Sequence, residues 1–357
     1  MHAIQDLAMT HTRPLHHHKH AGRSLIELLI ALVIGFVVLG AVMMTSINAG
    51  RTSSVNQQVA RMQQDATFAA QLLTGQLRLA GYSAVRQKPV VKAPIPNEFT
   101  PSIRNYAGPP VVGCENGFAN LNALDYTLLA CNGGGANAAP DAISIIYEGD
   151  AFNTFPTAGN PGQPTDCLGA TVPATVVSSA QQAATSSDVN AQIYARIENR
   201  YYLVGTTLFC QGNGNPQNPQ PVLDNVRDMQ ITYGVANTPD GNNRLSANDP
   251  MNEAVRHLRA DQVNNLPPFP VGALGPEARW NRAVSATVCL LLQSDLGAVE
   301  QPTPYTDCQG NVVTPPAGDT RAYRQVRIQV GFKNRTPACL DASPGAAVRA
   351  DRCDIML

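Results

Sequence analysis

From Leu28 to Ile47 the chain carries no ionisable residue. As a helix that run is about 30 Å long, enough to cross the hydrocarbon core of a bilayer. After it the period changes. Val55, Val59, Met62, Ala66, Ala69, Leu73, Leu77 and Ala80 recur at steps of three and four, which makes one helical stripe. The other positions include Arg51, Arg61, Asp65 and Arg78, and no proline occurs between Arg23 and Ala80. The pattern predicts one continuous helix of roughly 85 Å, with Gly81 as its stop and Gly35, Gly40 and Gly50 as soft points. Most members of the stripe are small, which fits a face packed on a globular head better than a coiled-coil seam.

Beyond Tyr82 the pattern turns to short apolar alternations separated by proline, glycine and asparagine, as in a β-rich head with long loops. Val326, Ile328, Val330 and Phe332 alternate with Arg327, Gln329 and Gly331, a strand with one buried and one wet face. Val284, Ala286, Val288, Leu290 and Leu292 repeat the period in a more apolar strand that should be central. Ile143 to Tyr147, Tyr201 to Phe209 and Met229 to Val235 are weaker strand candidates. Residues 149–192, 211–221, 237–252 and 299–320 are too polar to build a core and are expected as surface insertions. No internal repeat is evident, so residues 82–357 are expected to form one elaborated domain.

The apolar run has a carboxylate near its mouth. Glu27 follows Gly22-Arg23-Ser24-Leu25-Ile26, and a charge in such a segment costs on the order of 3 kcal/mol unless it finds a partner or the interface. Residues 1–22 hold Arg13 and Lys19 against Asp6, so this end should stay cytoplasmic and the remainder should face outward. Six of the seven histidines lie there, including His16, His17, His18 and His20. Their spacing defines no fixed ligand geometry, and no metal site is expected. An ordinary secretory signal has its cleavage site after the apolar run; here the glycine precedes it.

All eight cysteines, Cys114, Cys131, Cys167, Cys210, Cys289, Cys308, Cys339 and Cys353, fall on the outward side. An even number there points to disulfides. A preference for short closures pairs Cys114 with Cys131, Cys167 with Cys210, Cys289 with Cys308 and Cys339 with Cys353, although eight cysteines allow about 105 connectivities. No Cys-x-x-Cys occurs to suggest zinc. The full chain has 25 basic and 26 acidic residues; without Arg13, Lys19 and Asp6, 23 basic face 25 acidic. A near-neutral head lacks the electrostatic footprint of a nucleic-acid binder. Arg321, Arg324, Arg327, Lys333 and Arg335 cluster near one strand, and a solvated edge accounts for them. Outside the first 22 residues the one histidine is His257, expected in a surface loop, and Gly-x-Ser-x-Gly, His-Glu-x-x-His and P-loop patterns are absent. A membrane-tethered extracytoplasmic hydrolase is the enzyme alternative, without a motif to support it; no enzyme and no cofactor is expected.

Gly22, Glu27 and the apolar run between them and Ile47 resemble the cleavage signal of type IV pilins and pseudopilins. In that superfamily a dedicated peptidase cuts after the glycine, a glutamate stands fifth in the mature chain, and the apolar segment is kept. Leu77-Arg-Leu-Ala-Gly-Tyr82, Asp224-Asn-Val-Arg-Asp-Met-Gln-Ile-Thr-Tyr-Gly234, Ala286-Thr-Val-Cys-Leu-Leu-Leu-Gln-Ser294 and Tyr323-Arg-Gln-Val-Arg327 with Asn334-Arg335 resemble, in order, the PilW group of minor pilins. The resemblance implies an α+β, pilin-like fold, with a long N-terminal helix on a β-rich head whose loops are tied by disulfides. It divides the chain into a leader cleaved between Gly22 and Arg23 (1–22), a transmembrane and filament-core helix (23–50), its amphipathic continuation (51–81) and the extracytoplasmic head (82–357). It implies that Glu27 pairs with the terminal amine of a neighbouring subunit. Methylation usually accompanies cleavage, commonly on Phe, whereas Arg23 stands here. The implied partners are other minor pilins, the major pilin, the prepilin peptidase and the inner-membrane assembly platform. The implied role is priming of pilus assembly from a tip-proximal complex, in support of twitching motility and attachment. The implied location is the inner membrane and then the pilus of a Gram-negative bacterium. A J-type pseudopilin of a type II secretion system shares the anchor and the β-rich head. PilW-like chains often carry an Asp-rich loop after the Tyr-Gly pair; here Asp240 is the one acid of residues 236–243, a poor calcium set.

Overall fold

The structure, a computed structural model, describes residues 24–87, 102–104, 106, 108–123, 125–154, 162–176, 193–236, 254, 256–268 and 275–335. Gly22, Arg23, Cys339, Cys353, Asp240 and the leader histidines lie outside the described residues. By its internal contacts the chain falls into two units that divide between Ser54 and Val55.

Helix α1 runs Leu25–Leu79. In the first unit its large apolar side chains from Leu25 to Ile47 are each 51–83% exposed. In the second unit Met62, Ala66, Ala69, Leu73 and Leu77 are buried, with Val55 and Val59 partly so. The residue stripe is therefore a packing face. Gln76, outside the stripe, is buried as well, because its Oε1 accepts a 2.8 Å hydrogen bond from Asn199 Nδ2. Gly81 ends the helix in the left-handed region at φ 69°, the conformation that suits a glycine just past a helix. Its N–H donates to the Ile146 carbonyl at 2.8 Å, so the chain reversal is bonded to a strand.

The strands are β1 Val85–Gln87, β2 Ser102–Arg104, β3 Val111–Cys114, β4 Ala142–Gly149, β5 Thr175–Val176, β6 Ile193–Val204, β7 Thr207–Gly212, β8 Gln220–Leu223, β9 Val226–Val235, β10 Arg256–Arg259, β11 Ala283–Gln293, β12 Tyr305–Thr306, β13 Val312–Val313 and β14 Tyr323–Gly331. Two short helices, α2 Ala260–Asn264 and α3 Glu277–Trp280, precede β11. One antiparallel sheet has the order β3-β4-β6-β7-β8, with β5 on the end of β6. A second has the order β10-β9-β11-β14. β1 with β2, and β12 with β13, form small separate pairs.

One face of the first sheet carries Ile143, Ile145 and Tyr147 opposite Tyr201, Asn199 and Ile197. The inner face of the second aligns Met229, Leu290 and Val326, then Ile231, Val288 and Ile328, then Tyr233, Ala286 and Val330. These rows and the buried residues of α1 belong to a single hydrophobic core. β11 is central and β14 lies at the edge, as their different hydrophobic content requires.

The sheets interlock at Gly113. A Cβ there would come within 2.6 Å of Tyr233 Cζ and 2.9 Å of Trp280 Cη2, so glycine lets β3 approach β9 closely. Tyr233 packs edge-on against Trp280 with ring centroids 4.7 Å apart, and Trp280 Nε1 donates to Asn264 Oδ1 at 2.7 Å.

Two expectations are corrected. Tyr201 to Phe209 is not one strand: β6 and β7 are joined by Gly205-Thr206, with Gly205 at φ 62°. A glycine at the first position of a two-residue loop matches the twist of a hairpin. Within 149–192, Thr165 and Asp166 are buried rather than surface-exposed. Asp166 accepts from the N–H groups of Leu168, Ala170 and Gly214 at 2.9–3.0 Å. A carboxylate that gathers backbone donors becomes buriable, which an apolar-pattern reading does not detect. Short strands β5, β8, β12 and β13 also fall within or overlap the segments expected to be insertions.

Candidate functional site: the apolar anchor and the tied head

Ser24 starts α1, its carbonyl accepting from Glu27 N at 3.0 Å and Leu28 N at 3.2 Å. Glu27 lies in the first turn and is exposed; a carboxylate there is favoured by the partial positive charge of the helix terminus. α1 is, among the described residues, the one helix long and apolar enough to cross a membrane by length and composition. Each Leu, Ile, Phe or Val side chain on it gains about 1.5–3 kcal/mol on leaving water. Burial of the segment, in lipid or against other apolar surfaces, is therefore favourable.

The head is tied by three disulfides among the described residues: Cys114–Cys131, Cys167–Cys210 and Cys289–Cys308, with Cα separations of 5.0, 6.6 and 5.7 Å. Each fastens a long connection to a strand. Cys131 brings residues 115–141 back to β3, where Phe118, Ala142 and Tyr202 form a second small core. Cys167 holds the Asp166 turn to β7. Cys308 fixes the β12–β13 segment to the outer face of β11 beside Leu291.

Under the 115–141 connection the first sheet buries charge. Glu198, wholly buried, accepts from Arg200 Nε at 2.8 Å and Nη2 at 2.7 Å, and from the Tyr126 N–H at 2.9 Å. Burial pushes its carboxyl up, against the pull of Arg200. Arg196 pairs with Asp125 and lies over the Tyr126 ring, 5.1 Å from its centroid. Asp141 joins the two sheets: its N–H donates to the Met229 carbonyl at 2.7 Å, and its carboxyl accepts from Ile231 N at 2.8 Å and Asn116 N at 3.2 Å. Burial outweighs those two donors and pushes Asp141 up to about 7. These groups are enclosed and serve the fold.

His257 is exposed on edge strand β10, not in a loop. Of the basic residues near β14, Arg321 pairs with Asp319 at 3.3 Å and Arg327 donates to the Cys308 carbonyl at 3.2 Å. Among the described residues no three His, Cys, Asp or Glu side chains gather in a way that could hold a metal ion. Sequence patterns did not reveal Gln76, Asn199, Asp141 or Asp166. All four are polar residues buried through specific hydrogen bonds, and a buried polar residue in an apolar pattern was the one available signal.

No curated protein sequence matches the chain. Among solved structures, a type IV-like pilin from Thermus thermophilus aligns with a TM-score of 0.33 and 10% identity, over 77% of this chain and 98% of the other. The family described as type IV pilus-assembly protein W, PilW, matches residues 193–334, the stretch from β6 through β14 that holds the whole second sheet. Over those residues the head of this chain is similar to the PilW family of type IV pilus-assembly proteins.

Proposed function

We propose that this protein is a minor pilin that primes type IV pilus assembly from a tip-proximal complex. In this reading the prepilin peptidase cuts between Gly22 and Arg23, and the apolar half of α1 is retained first in the inner membrane, with the head in the periplasm. It then moves into a filament core alongside the major pilin and other minor pilins. The carrying observation is that an exposed apolar helical run with one carboxylate in its first turn continues, within the same helix, into the core of a head whose residues 193–334 match the PilW family model. Glu27 pairs with the terminal amine of a neighbour, which offsets two charges in apolar surroundings.

The test is expression of the full-length chain in a piliated host, mass spectrometry of its mature terminus, and recovery from sheared filaments. The expected result is a terminus at Arg23 and co-purifying pilins. Glu27→Gln should be cleaved normally yet recovered in filaments at least about tenfold less, the loss of one charge pair in a poorly solvated setting. Undiminished recovery of that variant overturns the pairing. Loss of exoprotein release with intact pili in a deletion strain would move the protein to a type II secretion pseudopilus.

A further inference from the structure

Outside the assembly elements, the head carries a groove of about 480 Å³ between the β12–β13 segment and the ends of β9, β11 and β14, within the size range of small-ligand sites. One wall is aromatic. Tyr305 and Tyr323 stack with centroids 4.1 Å apart and planes inclined by 23°. Tyr323 OH donates to Asp319 Oδ2 at 2.6 Å, and Asp319 is held in turn by the backbone and side chain of Arg321 at 3.1 and 3.3 Å. The segment is fixed from behind by Cys289–Cys308 and by Gln325 Nε2, which donates to the Asp307 carbonyl at 2.7 Å. A ligand meeting this wall orders little protein on binding.

The other side of the groove is polar and unengaged. Arg227, Gln293, Thr206 and Thr314 line it, and among the described residues none of their side chains has a hydrogen bond or ion pair. Together they offer guanidinium donors, an amide that both donates and accepts, and two hydroxyls that do the same. Pro315 and Pro316 complete an apolar floor.

We propose that this groove binds a neutral pyranose unit of an oligosaccharide. Such a ring has an apolar C–H face, suited to a tyrosine platform, and a rim of hydroxyls that each donate and accept, suited to a mixed polar wall. The lining carries Arg227 and Arg321 against Asp319; Arg321 is paired with Asp319 at 3.3 Å, which leaves Arg227 as a single cation suited to a hydroxyl rim rather than to a polyanion. Strand-tracking nucleic-acid grooves need a run of positive charge along the backbone, and one arginine outside an ion pair in the lining does not make such a run. The proposal does not depend on the assembly reading, since the groove lies wholly in the head.

The test uses the full chain in micelles of a phosphocholine detergent, because maltoside headgroups would compete. Cellotetraose, a galactose tetrasaccharide and chitotetraose are titrated by calorimetry and saturation-transfer NMR, beside a tetrauronate and a thymidine oligonucleotide. At least one neutral probe should bind with a Kd near or below about 1 mM, typical of a shallow site. Arg227→Ala, an exposed change that removes no hydrogen bond or ion pair among the described residues, should weaken it about fivefold or more, and Tyr305→Ala should abolish saturation transfer. Near-ultraviolet circular dichroism of each variant reports folding; if Tyr305→Ala misfolds, Gln293→Ala takes its place. The proposal is overturned if no neutral probe binds below about 10 mM. It is equally overturned if folded variants bind as the parent does, or if the uronate or the oligonucleotide binds more tightly than every neutral probe. Filament recovery is not read in this experiment, so its failure leaves the assembly reading untouched.

Discussion

Asp141 shows how one buried carboxyl sets a pH dependence. Its folded pKa is raised to about 7 from 3.8, so the folded state holds a proton that the unfolded state has already lost. The contribution to stability is complete below about pH 4 and falls away as pH rises to about 7. Burial raises Glu198 as well, which acts in the same direction. The thermal midpoint of the full chain should therefore decline between pH 4 and 7 through these groups. Asp141→Asn, neutral throughout and short of one acceptor, should lower the midpoint at pH 4 and flatten the decline. Differential scanning calorimetry at four pH values checks this, and an unchanged slope would remove Asp141 from the account. Glu198 is the harder residue to alter: with one partner gone, Arg200 would remain buried without its countercharge, a loss of about 3–5 kcal/mol.

At the scale of elements, the close approach of β3 to β9 rests on the missing side chain of Gly113. Gly113→Ala forces the Tyr233 ring or the β3 backbone to move, and overpacking of this kind costs about 1–3 kcal/mol. Urea unfolding should show a lower midpoint with an unchanged slope. The Cys289–Cys308 bridge closes a connection with a sequence separation of 19, worth about 3 kcal/mol in the chain-entropy account. Replacing both cysteines with serine should free residues 299–320 to limited proteolysis while the rest of the head stays resistant. These elements differ in how far the sequence disclosed them. The stripe from Met62 to Leu77 and the strands β11 and β14 were legible because apolar side chains repeat at the period of their element. The break at Gly205-Thr206 was missed because the apolar alternation continues through the turn. The burial of Asp166, Gln76 and Asn199 was not legible, since hydrogen bonds between residues distant in sequence leave no periodic trace. In the anchor, Glu27 was conspicuous for the opposite reason, as a lone charge at the mouth of an apolar run. The Tyr305–Tyr323 groove left no mark, because its residues come from five separated strands and two loops.

For the whole molecule, two demands meet in one helix. Its first half exposes an apolar surface that favours burial, and its second half completes the core of a head held by three disulfides among the described residues. The Glu27→Gln experiment belongs to this scale, because it separates membrane insertion, which the apolar run alone should support, from filament entry. The bond from Asn199 to Gln76 has a mechanical consequence. In the proposed assembly, a subunit under tension along its helix loads the seam between α1 and the head, and the Gln76 contact and the Gly81–Ile146 bond lie at the C-terminal end of that seam. The same Asn199 accepts from the Cys167 N–H at 2.9 Å, beside a covalent tie to β7. Force that reaches this asparagine thus passes directly into cross-linked backbone, and the head should slip from its helix before its sheets come apart.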